Sequence, residues 1–279
     1  MPVEQLTGPE GVLVTPDDGD VRGAVLVLSG SSGRVQADRC RVLADHKLAA
    51  LSLRWFGEVP QPASLQEVPI ESFRPSLDRL AGLSDRLGLV GTSFGALAAL
   101  LLGIADERLN TVVALAPSHL VWATPTLTVE DKPIERSAFS WQGDPLHFMP
   151  GVDQTTWHGP DFTTLRQAYE ASLRTFPTRE RNAVIAVEQI TADLIVASGG
   201  DDAVWPSAAA AQQIKARRAA YGMDTTVLHE PEAGHRVILP GEPPAQPTQG
   251  YPYGGVEAAD RRLGNRVLAA LLASLPLAG

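Results

Sequence analysis

The chain has 279 residues, 44% of them hydrophobic, and carries 32 acidic against 23 basic side chains for a formal charge of −9. A chain this long can bury a substantial core, and one large domain over residues 1–279 is expected. The acidic balance argues against a nucleic-acid groove. Cys40, the single cysteine, excludes an internal disulfide and suits a reducing compartment. The segment Met1-Pro2-Val3-Glu4-Gln5 lacks a basic stretch followed by an apolar one, so a cytoplasmic location is expected.

In chain order, Gly11–Thr15 reads as an edge strand closed by the turn Pro16–Asp20, and Ala24–Leu28 as a strand buried on both faces. That strand runs into Ser29-Gly30-Ser31-Ser32-Gly33, whose small residues leave backbone N–H groups open. Val35–Lys47 has helical spacing, Leu48–Leu53 is a second buried strand, and a helix from Ile70 to Leu83 places Phe73, Leu77 and Leu80 on one face. Next come a strand over Arg86–Thr92, a helix over Phe94–Ala105 and a strand over Thr111–Ala116. Two late strands, Ala192–Ala197 and Thr225–Leu228, flank a helix over Ala208–Tyr221, and Asp260–Ala273 reads as a closing helix. Such alternation predicts a mainly parallel sheet with helices on both faces.

Pro117–Ile190 interrupts the alternation. It is too long for a crossover and holds Trp122, Phe139, Trp141, Phe148, Trp157, Phe162, Tyr169 and Phe176, half of the chain's aromatics. An inserted helical cap over about 117–190 is expected, with a few of its aromatics facing an apolar pocket and the rest forming its own core.

The strand-to-helix junction Gly91-Thr92-Ser93-Phe94-Gly95 has the Gly-x-Ser-x-Gly pattern of a nucleophile elbow, in which a serine is presented on a tight turn. A serine hydroxyl needs a base to take its proton and a third group to hold that base. Asp201 and Asp202 follow the strand ending at Ala197, and His235 lies in a loop after the last strand, so the order serine, acid, histidine is present. Either aspartate could face His235 while the other caps the helix after Pro206. His46 reads as a surface or packing residue of a helix, His147 and His158 as cap residues and His229 as the end of the last strand, so His235 alone has both the order and the loop placement; His119, just after a core strand, could line the site. Phe94 N–H and a donor at Ser31 are the candidates for an oxyanion hole, with Ser29 and Ser32 open to a turn role instead. Gly30, Ser32, His119, Trp122 and Trp205 are expected around the substrate. Arg34, Arg54 and Arg236 follow core strands and could sit near the rim, though each reads more readily as a solvated surface charge. Pro240–Gly255 should border the mouth of the site, where Tyr251 and Tyr253 could touch substrate. Cys40 reads as inert packing, and no residue spacing suggests a metal site.

Taken together, Val14–Gly33, Leu51–Gly57, Val68–Phe73, Gly91–Gly95, Ser198–Ser207, Glu232–His235 and Gly254–Ala259 resemble the C-terminal catalytic domain of acyl-CoA thioester hydrolases and bile acid-CoA:amino acid N-acyltransferases. The resemblance implies an α/β-hydrolase fold and puts the triad on Ser93, Asp202 and His235. It implies an acyl thioester or ester substrate, including coenzyme A or carrier-bound acyl groups, with no cofactor. Coenzyme A phosphates would need local cations in a chain this acidic, and Arg34, Arg54 and Arg236 are the candidates. Amino-acid-conjugating members use cysteine and the hydrolases serine, so Ser93 implies transfer of the acyl group to water. Acyl transfer to an amine or alcohol, carboxylester or peptide hydrolysis, and a catalytically silent binding module are the competing expectations. Many relatives carry a β-sandwich domain ahead of this one, which the few residues before the first strand lead one not to expect here.

Overall fold

The computed structural model describes residues 1–124, 127–129, 132–151, 163–244 and 251–275. The expected aromatics Trp157 and Phe162, the candidate His158 and part of the Pro240–Gly255 loop lie outside them. The chain opens with β1 (Val3–Thr7), β2 (Glu10–Val14) and β3 (Gly23–Leu28), then α1 (Ala37–Asp45) and β4 (Leu48–Leu53). A short strand β5 (Val68–Pro69) and a 3₁₀ turn over Ile70–Phe73 lead into α2 (Arg74–Ala81), β6 (Leu87–Thr92), α3 (Phe94–Ala105) and β7 (Leu109–Leu115). The long excursion contains β8 (Leu127–Val129), β9 (Lys132–Ile134), β10 (Phe139–Trp141), β11 (Asp144–Pro145), α4 (Leu165–Thr175) and α5 (Pro177–Ala183). β12 (Asp193–Gly199), α6 (Ser207–Ala220), β13 (Thr226–Glu230) and α7 (Glu257–Ser274) complete the chain.

Eight strands form one sheet in the order β1-β2-β4-β3-β6-β7-β12-β13. The six from β4 to β13 are mutually parallel, and β1 and β2 add an antiparallel edge. β3 and β4 are buried along their whole length, as unbroken apolar runs demand of strands covered on both faces. The sheet separates two apolar layers. One sets Leu77, Leu80, Leu97 and Ile214 of α2, α3 and α6 against the sheet; the other does the same with Val42, Leu43, Leu263 and Val267 of α1 and α7. Cys40 lies in the second layer, where burial pushes its thiol up to about 12. β1 carries no apolar run, since its residues are mostly exposed, and it is held by edge pairing with β2.

The excursion after β7 combines α4 and α5 with four short strands. β10 pairs in parallel with β5, so this segment is stitched to the loop between β4 and α2. α4 starts with a capping box, Thr164 accepting from Gln167 N and the Gln167 side chain accepting in return. Trp122, Phe139, Met149, Leu165 and Tyr169 merge with the core layer of α2, α3 and α6.

The β6–α3 junction depends on close backbone approach. A Cβ on Gly91 would overlap the Gly95 carbonyl oxygen, and one on Gly95 would overlap the carbonyl oxygen of Ser29. Both obstacles are backbone atoms that cannot rotate away. Gly91→Ala or Gly95→Ala should therefore destabilise the protein by about 3 kcal/mol or more, the upper end for overpacking. A urea-denaturation midpoint unchanged from wild type would contradict this account of the junction.

Candidate active site

The loops after β3, β4, β6, β12 and β13 share the carboxyl edge of the parallel sheet and enclose, with α4, a cavity of about 890 Å³. Ser93 lies at the elbow between β6 and α3, with φ 59° and ψ −124°. A positive φ in a residue with a Cβ is strained by about 1–3 kcal/mol. Ser93 N donates to Leu115 O at 2.9 Å and Ser93 O accepts from Ala96 N at 2.8 Å, which holds the strained residue in place. Phe94, the first residue of α3, has no carbonyl one turn earlier for its N–H, as at every helix start. Gly30 adjoins Ser93, since a Cβ there would sit 3.0 Å from Ser93 Cβ and 3.5 Å from its Oγ.

Asp202 is 1% exposed. His235 Nδ1 lies 3.0 Å from both of its carboxylate oxygens. Oδ1 also accepts from Val204 N at 2.9 Å and Trp205 N at 3.2 Å, and Oδ2 from the Ser207 hydroxyl at 2.6 Å. Between the two adjacent acids the structure brings Asp202 to the histidine, and neither takes the expected helix-capping role, since no side chain caps the start of α6. Asp201 instead accepts from Gly255 N at 2.7 Å. His235 and Ser93 both line the cavity and are nearly buried, at 4% and 9% exposed.

Ser31 and Ser32 line the same cavity, and Ser31 is hydrogen-bonded to the Tyr251 hydroxyl, which burial pushes up to about 12. Ser32 Oγ accepts from Arg34 N at 3.4 Å within the Gly30–Gly33 turn, and Ser29 Oγ accepts from Trp55 Nε1 at 3.3 Å. Trp205 anchors the wall by donating Nε1–H to Ala116 O at 2.9 Å, and its ring contacts Phe94, Tyr169 and His235. Tyr251 and Tyr253 line the cavity as expected of the late loop.

His119 and Trp122 depart from expectation: they lie around a second cavity of about 180 Å³, on the other side of Trp205. Trp205 lines both cavities, and Tyr169 contacts the rings of both Trp122 and Trp205. Burial lowers the His119 imidazole to about 4. Arg54 pairs with Glu10 and Glu58 away from the cavity, whereas Arg236 is half-buried in its wall. His229 sits in β13, with Nδ1 3.3 Å from Ser198 Oγ.

Two groups escaped sequence reading. Arg39 on α1 is buried with Glu242, bonded through Nε at 2.6 Å and Nη2 at 2.9 Å, and also donates to Thr92 Oγ1 and Val237 O. This ties the residue before Ser93 to the loop after His235. Asp260 accepts from Gly234 N at 2.8 Å, next to His235, and burial with the nearby Asp202 charge pushes its carboxyl up to about 6. Both come from ordinary amphipathic helices, where a lone Arg or a first-turn Asp is the usual sign of a solvated face. Among the described residues, no cluster of His, Cys, Asp and Glu could hold a metal ion, and no helix is long and apolar enough to cross a membrane.

With this geometry, the comparisons with known proteins become specific. The sequence model of the family described as BAAT / acyl-CoA thioester hydrolase C terminal matches residues 77–255, more than half of the chain. The chain belongs to that family. It is 27% identical over 253 residues to human acyl-coenzyme A thioesterase 6, a match covering 84% of this chain and 53% of that protein, so it spans about half the length of that curated relative. A dienelactone hydrolase structure from Klebsiella pneumoniae superposes with a TM-score of 0.57 at 14% identity, covering 98% of this chain and 97% of the other. A dienelactone hydrolase-like promiscuous phosphotriesterase from metagenomic libraries gives 0.55 at 16% identity, over 98% and 95% of the two chains. These structures establish the α/β-hydrolase fold.

The buried pair predicts its own mutational signature. Arg39→Met strands an uncompensated Glu242 and should cost about 3–5 kcal/mol, whereas Arg39→Met with Glu242→Leu should recover most of that loss. Denaturation of the single and double variants decides it, and equal losses in the two would contradict the pairing argument. Asp260 predicts a pH effect. Its folded carboxyl holds a proton more tightly than in the unfolded chain, so its ionisation removes stability as pH rises from about 4 to about 7. Asp260→Asn keeps an acceptor for Gly234 N–H without the charge. It should match wild type near pH 4 and exceed it by on the order of 2 kcal/mol at pH 7, read from urea midpoints across that range.

Proposed function

We propose that this protein is a serine hydrolase that forms an acyl-enzyme at Ser93 and passes the acyl group from a thioester, or a related ester, to water. The observation that carries this reading is the His235–Asp202 pair, buried in the cavity that the strained Ser93 also lines. In this reading Asp202 fixes the imidazole with Nδ1–H toward itself, leaving Nε2 to take the Ser93 proton. Ser93 Oγ attacks the acyl carbon, and Phe94 N–H and the Ser31 backbone N–H receive the developing oxyanion. The tetrahedral intermediate collapses with cleavage of the bond to the leaving group, which departs with the proton from His235. Water, deprotonated by the same imidazole, then attacks the acyl carbon and releases Ser93 and the acid.

Support for a thioester comes from the family and from the similarity to human acyl-coenzyme A thioesterase 6. Cavity shape is compatible with it: Phe56, Leu65, Leu165 and Val204 offer an apolar wall, and the Ser29–Ser32 backbone a polar one. The reading takes the acyl portion as apolar where it meets those residues.

Labelling with a fluorophosphonate followed by intact-protein mass tests the nucleophile. Wild type should add one phosphonyl group, Ser93→Ala none, and His235→Ala should react far more slowly. Asp202→Asn should lower thioester turnover by about 10⁴-fold, the loss expected when the orienting carboxylate is removed. Labelling that persists in Ser93→Ala would overturn the assignment. Accumulation of an amide rather than the free acid when an amine is supplied would shift the reading to acyl transfer.

A further inference from the structure

The geometry points to Arg236 as a specificity-determining residue that recognises an anionic group on the substrate, a carboxylate on its acyl part or a phosphate on its leaving group. This inference rests on the acyl-transfer reading of the same cavity and adds the charge that the substrate must carry.

Arg236 directly follows His235 and lines the cavity. Its guanidinium carbon lies 4.3 Å from the centre of the Tyr253 ring, a cation–π contact that orients the planar group. Tyr253 is itself fixed: its carbonyl accepts from His235 N at 2.9 Å and Ala203 N at 3.2 Å, and its ring stacks on the imidazole at 6.2 Å. Arg236 is therefore preorganised on the same scaffold as the candidate base. Yet among the described residues it forms no ion pair, and its buried Nε has no hydrogen-bond acceptor. A guanidinium presents five donors, and a buried donor without an acceptor is unfavourable, so an oxygen-bearing anion suits this position.

The other charges on the wall are committed. Arg39 donates to both oxygens of Glu242, to Thr92 Oγ1 and to Val237 O, and Asp38 pairs with Arg41 at 2.8 Å. Among the described residues, what remains uncommitted on the wall is positive, Arg236 within and Arg34 at the exposed edge, in a protein whose formal charge is −9. Local cations in an acidic protein focus the potential of a low-dielectric cleft on an anionic ligand. A planar guanidinium held on an aromatic face suits the paired oxygens of carboxylate or phosphate better than a flexible ammonium does.

The test compares wild type, Arg236→Gln and Arg236→Lys on three thioesters: octanoyl-pantetheine, which is neutral; octanoyl-coenzyme A, with phosphates on the leaving group; and adipyl-pantetheine, with a free carboxylate on the acyl part. For one of the two anionic substrates, the fall in kcat/KM for Arg236→Gln should exceed its fall on the neutral one by about tenfold or more, the worth of a hydrogen-bonded charge. The excess should sit mainly in KM, and Arg236→Lys should be intermediate. Which substrate responds identifies the source of the anion. Equal losses on all three, the mark of a merely displaced His235, or no loss on any would overturn the proposal. Calorimetric titration with coenzyme A and with adipate gives the same comparison without turnover: wild type should bind one of them about tenfold more tightly than Arg236→Gln. If thioesters are not turned over but this difference persists, the acyl-enzyme reading fails and the anion site stands. If turnover is normal and no anion discriminates the variants, the anion site fails alone.

Discussion

One buried carboxylate organises the cavity. Asp202 accepts hydrogen bonds from two backbone N–H groups, the Ser207 hydroxyl and the His235 imidazole. Those partners belong to the loop after β12, the start of α6 and the loop after β13. A buried anion is tolerable only where donors surround it, and bonds to an ionised acceptor are about twice as strong as neutral ones. The same set of donors that makes its burial possible also fixes the direction of the imidazole. Positioning of His235 is thus a by-product of satisfying a charge that the fold has taken out of water.

The rest of the wall extends that logic to neighbouring backbone. Asp201 holds Gly255, Asp260 holds Gly234, and the Tyr253 carbonyl receives both His235 N and Ala203 N. Among its described residues the loop after β13 holds no helix or strand, and these bonds satisfy its backbone instead. Arg166, near the start of α4, donates to the carbonyls of Gly200 and Asp202 and its N–H donates to Ala203 O, so α4 is fastened to the acid-bearing loop. Arg39 and Glu242 fasten the opposite side. The cavity is framed by parts that are far apart in the chain yet share hydrogen bonds with only a few residues around Asp202 and His235.

Strain at Ser93 is the complement of this rigidity. Its positive φ persists because Leu115 O and Ala96 N hold it on both sides and because Gly91 and Gly95 let strand and helix meet backbone to backbone. A cavity-lining side chain on a tight, over-determined turn has little conformational freedom left to lose. The aromatic line from Trp122 through Tyr169 and Trp205 to His235 then closes one flank and divides the interior into the large cavity and the smaller one beside His119.

The sequence alone determined the alternation of buried strands and amphipathic helices, because apolar runs of strand length and 3.6-residue spacing are local signals that tertiary context seldom reverses. It also determined the elbow at Ser93, since the two glycines are needed by the chain crossing itself, and the order of the acid and histidine loops along one sheet edge. β1 was illegible: an exposed edge strand is held by pairing and leaves no apolar signature. Only the tertiary structure decided that Asp202 rather than Asp201 meets His235, that His119 and Trp122 line a second cavity, that Arg39 and Arg236 are wall residues, and that Asp260 is buried against Gly234 N–H. Each of those outcomes depends on which way a side chain points after distant segments pack. That direction is set by the acceptors and rings that packing brings within reach, and no spacing within a single element encodes it.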